Sequence, residues 1–155
     1  MTEPASLPVE TSQQVRDTCL CLHAHRAARA LARRFDKALR PLGLTNTQFS
    51  LLMALNGPEP APLGRVAALL GADRTTLTAA LKPLARRGLA AIAQDPTDRR
   101  ARRVSLTAAG HAVLTAALPA WRAAHEGLES ELPGLDPGRL RAELRALSET
   151  GSPSD

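Results

Sequence analysis

Leu20, Ala24, Ala27, Leu31, Phe35 and Ala38 recur at steps of three and four, and no glycine or proline falls between Gln13 and Arg40. That spacing predicts one long amphipathic helix. The segment "PLGLT" stops it at Pro41 and Gly43. Thr45, with Gln48 three residues on, writes a capping box, and "QFSLLMALN" predicts a short apolar helix that ends at "NGPEPAP". A third helix is expected from about Pro62 through "LGRVAALL" to Gly71, and a fourth from an N-cap at Asp73 to a left-handed stop at Gly88. The pattern then changes. Leu89 to Ala93 and Arg102 to Leu106 flank a polar loop containing Asp95-Pro96 and Asp98, which reads as a β-hairpin. Thr107 caps a helix carrying Val113, Leu114, Ala117, Leu118, Trp121 and Leu128, with a bend expected at Pro119. Asp136-Pro137 opens a last helix with Leu140, Leu144 and Leu147.

Two short helices joined through Gly71 read as a helix-turn-helix, whose second helix normally enters the major groove of DNA. At 100° per residue, Leu77, Ala80, Leu81 and Leu84 share one side of that helix, and Thr75, Thr78, Ala79, Lys82 and Arg86 the other. Hydroxyls, small side chains and cations can approach a duplex closely, although an ordinary solvated face has the same composition. Pro83 removes a backbone donor from this helix, and a bend is expected there. The hairpin is a candidate wing. Its Arg99, Arg100, Arg102 and Arg103 suit a narrow minor groove, and Asp98 is expected to hold a neighbouring arginine by a charge-assisted pair.

Charge sharpens this picture. The 155-residue chain carries a net charge of +5, and residues 73–103 alone hold eight Arg or Lys against three Asp, an excess equal to that of the whole chain. A confined basic segment marks a polyanion-binding surface, or more simply a solvated basic face. The length suits one domain with a core that needs no disulfide staples. Abundant Ala, Leu and Arg without any tyrosine favour helices. No stretch approaches a membrane span, and the "MTEPASLPVETSQQ" start lacks a secretion signal, so a cytoplasmic protein with thiols at rest is expected. No glycine-rich phosphate loop, His-Glu-x-x-His pair or nucleophile elbow occurs, and His111 and His125 are expected to face solvent. No enzymatic activity, catalytic residue, metal or cofactor is therefore assigned. The competing class is a metal- or thiol-dependent helical protein whose basic loop binds nucleic acid non-specifically.

The resemblance to a known family becomes specific at "DPTDRRARRVSLTAAG". This is similar to the wing and following helix start of the multiple-antibiotic-resistance regulator (MarR) family, with Asp98, Arg100, Leu106, Thr107 and Gly110 matching its Asp-x-Arg and Leu-Thr-x-x-Gly. "PLGLTNTQFSLLMAL" resembles the family's second helix, and "ADRTTLTAALKPLARRGLA" its recognition helix and the turn into the wing. The likeness spans roughly residues 20–118. It implies a mainly α winged helix-turn-helix protein with a small β-hairpin wing and N- and C-terminal dimerisation helices. The implied function is a homodimeric transcriptional regulator, more often a repressor, acting on a pseudo-palindromic operator in double-stranded DNA and answering an unidentified small effector. The expected DNA contacts are Arg74, Thr75, Thr76, Thr78, Lys82 and Arg86 on the recognition helix, with Arg99, Arg100, Arg102 and Arg103 on the wing. Arg100 matches the family's minor-groove arginine. Pro83 departs from many members.

The expected organisation is a disordered start over 1–10, dimerisation helices over 11–43 and 107–150, a DNA-binding lobe over 44–106 and a flexible tail over 151–155. The stripes Val113, Leu114, Leu118, Leu140, Leu144 and Leu147 are expected to meet a two-fold mate. Within the first helix, "CLCLHAHR" sets Cys19, Cys21, His23 and His25 at alternate positions. On a continuous helix these point to opposite sides, so one four-ligand metal site is excluded, and two pairs remain, Cys19 with His23 and Cys21 with His25. The place of Cys21, twenty residues before Pro41, resembles that of the peroxide-sensing cysteine in organic-hydroperoxide regulators of this family. Those carry tyrosines around the thiol where this chain has His25 and Phe35. An inert thiol, a redox sensor, half of a metal site and an unrelated small ligand bound between the domains all stay open for this stretch.

Overall fold

A computed structural model describes residues 6–150. In chain order its elements are α1 (Val9–Thr18), α2 (Leu20–Leu39), a 3-10 turn (Arg40–Leu42), α3 (Asn46–Ala54), β1 (Ala61–Pro62), α4 (Leu63–Leu70), α5 (Arg74–Arg86), β2 (Ala90–Gln94), β3 (Arg102–Leu106), α6 (Ala108–Glu131) and α7 (Pro137–Glu149). The expected disordered start is corrected at its end, because Val9 and Glu10 already belong to α1; its first five residues, and the expected tail over 151–155, lie outside the described residues.

The single helix expected from Gln13 to Arg40 is two helices. Cys19 breaks it with an extended backbone, φ −72° and ψ 106°. Thr18 Oγ1 donates back to the Gln14 carbonyl at 2.8 Å, and the Leu22 amide donates to Cys19 Sγ at 3.4 Å. These local side-chain bonds satisfy groups at both helix ends, in competition with the backbone ladder, so the break needs neither glycine nor proline.

The chain divides into two compact units, one ending at Arg34 and the other beginning at Phe35. In the first, α1 buries no residue, and every position of α2 from Leu20 to Leu31 is exposed. The second unit contains the hydrophobic core. Leu39 and Leu44 pack there with Phe49, Leu51 and Leu52 of α3, Val66 and Ala67 of α4, and Leu77, Leu81 and Leu84 of α5. Leu55, Leu89, Ala90, Val104, Leu114 and Ala117 complete it. Leu114 thus belongs to this core and Val113 packs against it, which corrects their expected place on a stripe facing a mate.

Capping follows the sequence closely. Thr45 and Gln48 form a reciprocal capping box on α3, while Asp73, Thr107 and Asp136 accept backbone amides at the starts of α5, α6 and α7. Gly71 and Gly88 stop α4 and α5 with φ of 61° and 70°. Neither Pro83 nor Pro119 ends its helix.

The three strands form one antiparallel sheet in the order β1-β3-β2. The hairpin pairs Ala90 with Leu106 and Gln94 with Arg102. Strand β1 pairs Ala61 with Val104 and Pro62 with Arg103, where a helix start had been expected. Two residues carry no periodicity, and Pro62 is tolerated at a sheet edge because it needs no donor there.

Candidate nucleic-acid interface

Helix α5 separates its faces as its sequence predicts. Leu77, Leu81 and Leu84 are buried, while Arg74, Thr75, Thr76, Thr78, Ala79, Lys82 and Arg86 are exposed. Asp73 organises the start of the helix: Oδ1 accepts the Thr76 amide at 2.7 Å and Oδ2 accepts the Thr76 hydroxyl at 2.8 Å. These two bonds hold the Asp73 carboxyl below the usual carboxylate range. Thr78 Oγ1 donates to the Arg74 carbonyl at 2.7 Å. Thr76 and Thr78 therefore have their hydroxyl protons committed within the helix and offer acceptor lone pairs outward. The Arg74 guanidinium lies across α4, with Nη2 3.2 Å from where a side chain would start at Gly64.

The wing is shaped by an acid other than the expected one. Asp95 is buried at the end of β2. Its Oδ1 accepts the Thr97 hydroxyl at 2.7 Å, the Thr97 amide at 2.8 Å and the Asp98 amide at 3.2 Å, while Oδ2 accepts Arg103 Nε at 2.6 Å. Thr97 and then the Arg103 guanidinium hold the Asp95 carboxyl far below its ordinary value, against the cost of burial. Asp98 makes no such pair. Its Oδ1 accepts the Arg100 amide at 2.9 Å, and its carbonyl accepts the Ala101 amide at 3.0 Å. Asp98 thus shapes the wing turn through the backbone, which corrects the expectation that it pairs with a guanidinium. "DPT" at 95–97, an acid two residues before a threonine, was the available signal for Asp95 as a turn organiser.

The four wing arginines divide accordingly. Arg99, Arg100 and Arg102 are exposed. Arg103 is half-buried, and besides Asp95 it reaches the Pro60 carbonyl through Nη1 at 3.2 Å, tying the hairpin to the segment before β1. Gln94 Nε2 donates to the Arg99 carbonyl at 2.8 Å and braces the loop from inside.

Because the folded Asp95 carboxyl titrates below its unfolded value near 3.9, its stabilisation is fully present above about pH 4 and is lost as pH falls through the lower folded value. The melting-temperature difference between the wild type and Asp95→Asn should therefore be largest near neutrality and shrink below about pH 4. A difference that stays constant down to pH 2 would remove Asp95 from this role.

The four residues of "CLCLHAHR" do not come together as a metal centre, and among the described residues no group of three or more His, Cys, Asp or Glu could hold an ion. Cys19 lies at the helix break with its sulfur capping α2, so the expected opposition of Cys19 and Cys21 on one helix does not apply. Both thiols are free, Cys19 half-buried and Cys21 exposed. His23 Nε2 bonds the Asp17 carbonyl at 3.2 Å, while His25 is exposed one turn along α2 from Cys21. His111 faces solvent. His125 does not: it is half-buried, with ring centroids 4.4 Å from Trp121 and 5.0 Å from Phe35, in a cluster that Phe49 joins at 6.0 Å from Trp121.

A helix-turn-helix with a basic outer helix, followed at once by a braced arginine-tipped hairpin, defines a winged helix-turn-helix protein. The MarR family model matches residues 42–101. MosR, a transcriptional regulator of M. tuberculosis solved in complex with DNA, is 38% identical over 84% of this chain and 94% of its own, with a TM-score of 0.74. A probable transcriptional regulator from Pseudomonas aeruginosa is 30% identical over 84% and 98%, TM-score 0.71. The transcriptional repressor CouR, solved on a 23-mer DNA duplex, is 28% identical over 96% of this chain and 100% of its own, TM-score 0.71. No curated protein sequence matches the chain. The chain belongs to the MarR family of transcriptional regulators, which are not enzymes.

Proposed function

We propose that this chain is a homodimeric repressor that binds a pseudo-palindromic operator and releases it on a chemical signal. The observation that carries the reading is the exposed face of α5, with Thr75, Thr78, Lys82 and Arg86, beside a wing whose turn Asp95 and Asp98 hold in one shape under exposed Arg99 and Arg100. Arg74, Thr76 and Arg102 join this surface, and Arg103 is assigned to the wing base. Of the relatives, MosR was solved with DNA and CouR on a 23-mer, about two turns of duplex and room for two half-sites. The assignment of 44–106 as the DNA-binding lobe, flanked by dimerisation helices over 11–43 and 107–150, belongs to this reading. So does a cytoplasmic location; no helix among the described residues is long and apolar enough to cross a membrane.

Selection from a random duplex library tests the proposal: saturable, sequence-selective binding is expected, and only weak, salt-sensitive binding would overturn it. On a selected duplex, Arg100→Ala should keep the fold and dimer, cost about 1–3 kcal/mol in affinity and make the salt dependence shallower. Unchanged affinity would remove Arg100 from the interface.

For the signal, exposed Cys21 with His25 one turn away is the pair an oxidant can reach, whereas the Cys19 sulfur is engaged in capping. Under peroxide Cys21→Ser should stay on DNA while Cys19→Ser is still released. Equal release of both variants would leave the stretch as helix structure alone.

A further inference from the structure

Arg87 follows the last residue of α5, and its Nη1 donates to the Gly43 carbonyl at 2.6 Å across 44 positions of chain. Gly43 has a φ of 68°, which disfavours any side chain, and a Cβ there would stand 3.2 Å from Arg87 Nη2. The guanidinium thus lies against the corner between the 3-10 turn and α3. That corner is firm. The Gly43 amide donates to the Arg40 carbonyl at 2.9 Å, and Leu39 and Leu44 on either side are buried. Asp36, in the last turns of α2, accepts the Asn46 amide at 2.7 Å and fixes the start of α3 to the same corner.

The other end of the link is equally well held. Gly88 stops α5 one residue later, and its carbonyl accepts the Thr107 hydroxyl at 2.6 Å, where α6 begins. The Leu89 amide donates to the Leu84 carbonyl at 2.9 Å before the wing departs. Arg87 and Gly43 are themselves exposed, but each sits in backbone held by its own hydrogen bonds, so a charge-assisted bond between them ties the end of α5 to that corner.

We propose that Arg87 is a positioning residue, which sets the angle of α5 against the α2–α3 corner and so the presentation of Thr75, Thr78, Lys82 and Arg86 to DNA. This rests on the DNA-binding reading above for its consequence, but the link itself is a property of the DNA-free protein.

Two measurements on the full-length protein decide it. In amide hydrogen exchange without DNA, Arg87→Met keeps most of the side-chain stem and removes the donor. It should raise exchange together at 40–46 and 84–90, whereas Arg86→Ala should leave both segments protected. Unchanged exchange in Arg87→Met overturns the link. On a selected duplex, Arg87→Met should lose about tenfold or more in affinity with the slope of log affinity against log salt unchanged. A slope reduced by about 0.9, the signature of one lost phosphate contact, overturns the positioning role. If the wild type selects no duplex, the DNA-binding reading fails separately, and the exchange result alone decides the link.

Discussion

Gly110→Ala should cost about 1–3 kcal/mol of stability or more, although the same change in an open helix interior gains up to about 1 kcal/mol. The sign is decided by what stands beside the glycine. A Cβ at 110 would collide with the Leu89 carbonyl oxygen, and would stand 2.8 Å from Leu106 Cδ1 and 3.0 Å from the Leu89 carbonyl carbon. The oxygen is backbone and cannot rotate away. It accepts the Thr107 amide at 3.2 Å, and Leu89 is buried between the end of α5 and the wing. Relief requires α6 to move off the sheet, which would disturb Val104 and Leu114 in the core. Urea unfolding should show a lower midpoint with an unchanged slope. A variant as stable as the wild type would mean that α6 and the wing do not approach as described.

Deleting the chain after Leu132 should convert the dimer to a monomer while leaving the DNA-binding lobe folded. Helix α7 carries Leu140, Leu144 and Leu147 on one stripe but buries no residue within the chain, and Leu144 and Leu147 are 46% and 48% exposed. An amphipathic helix left uncovered in this way is stabilised by packing against a partner. The core, by contrast, ends at Ala117 with Trp121 packed against it, so its contacts survive the deletion. Light scattering at micromolar concentration should give a dimer for the whole chain and a monomer for the shortened one. Affinity for a duplex with two half-sites should fall by about 10²–10⁴, the factor lost when a second binding event ceases to be intramolecular. A monomeric whole chain, or a shortened chain that remains dimeric, would count against these helices as the assembly surface.

What the sequence determined by itself about this protein is what four or five neighbouring residues decide. Thr45 with Gln48, Asp73, Thr107 and Asp136 cap the helices that their spacing announced, because a cap needs only an oxygen within reach of the next turn's amides. The two faces of α5 were legible for the same reason, since a helix converts spacing into direction. The confined positive charge and the "DPTDRRARRVSLTAAG" run pointed to the wing and to the family. Tertiary structure decided the rest. Strand β1 exists because Ala61 and Pro62 meet β3 some forty residues away, and no local pattern records that pairing. Hairpin register, not proximity in sequence, gave Arg103 to Asp95 and left Asp98 to the turn backbone. At Cys19 side-chain bonds from Thr18 and the thiol competed with the helix ladder, and the outcome at "CLCLHAHR" was a break where periodicity predicted continuity. His125 turned inward because Phe35, ninety positions earlier, completes its aromatic surroundings. Such contacts join residues far apart in the chain, so their partners are set only when the core closes.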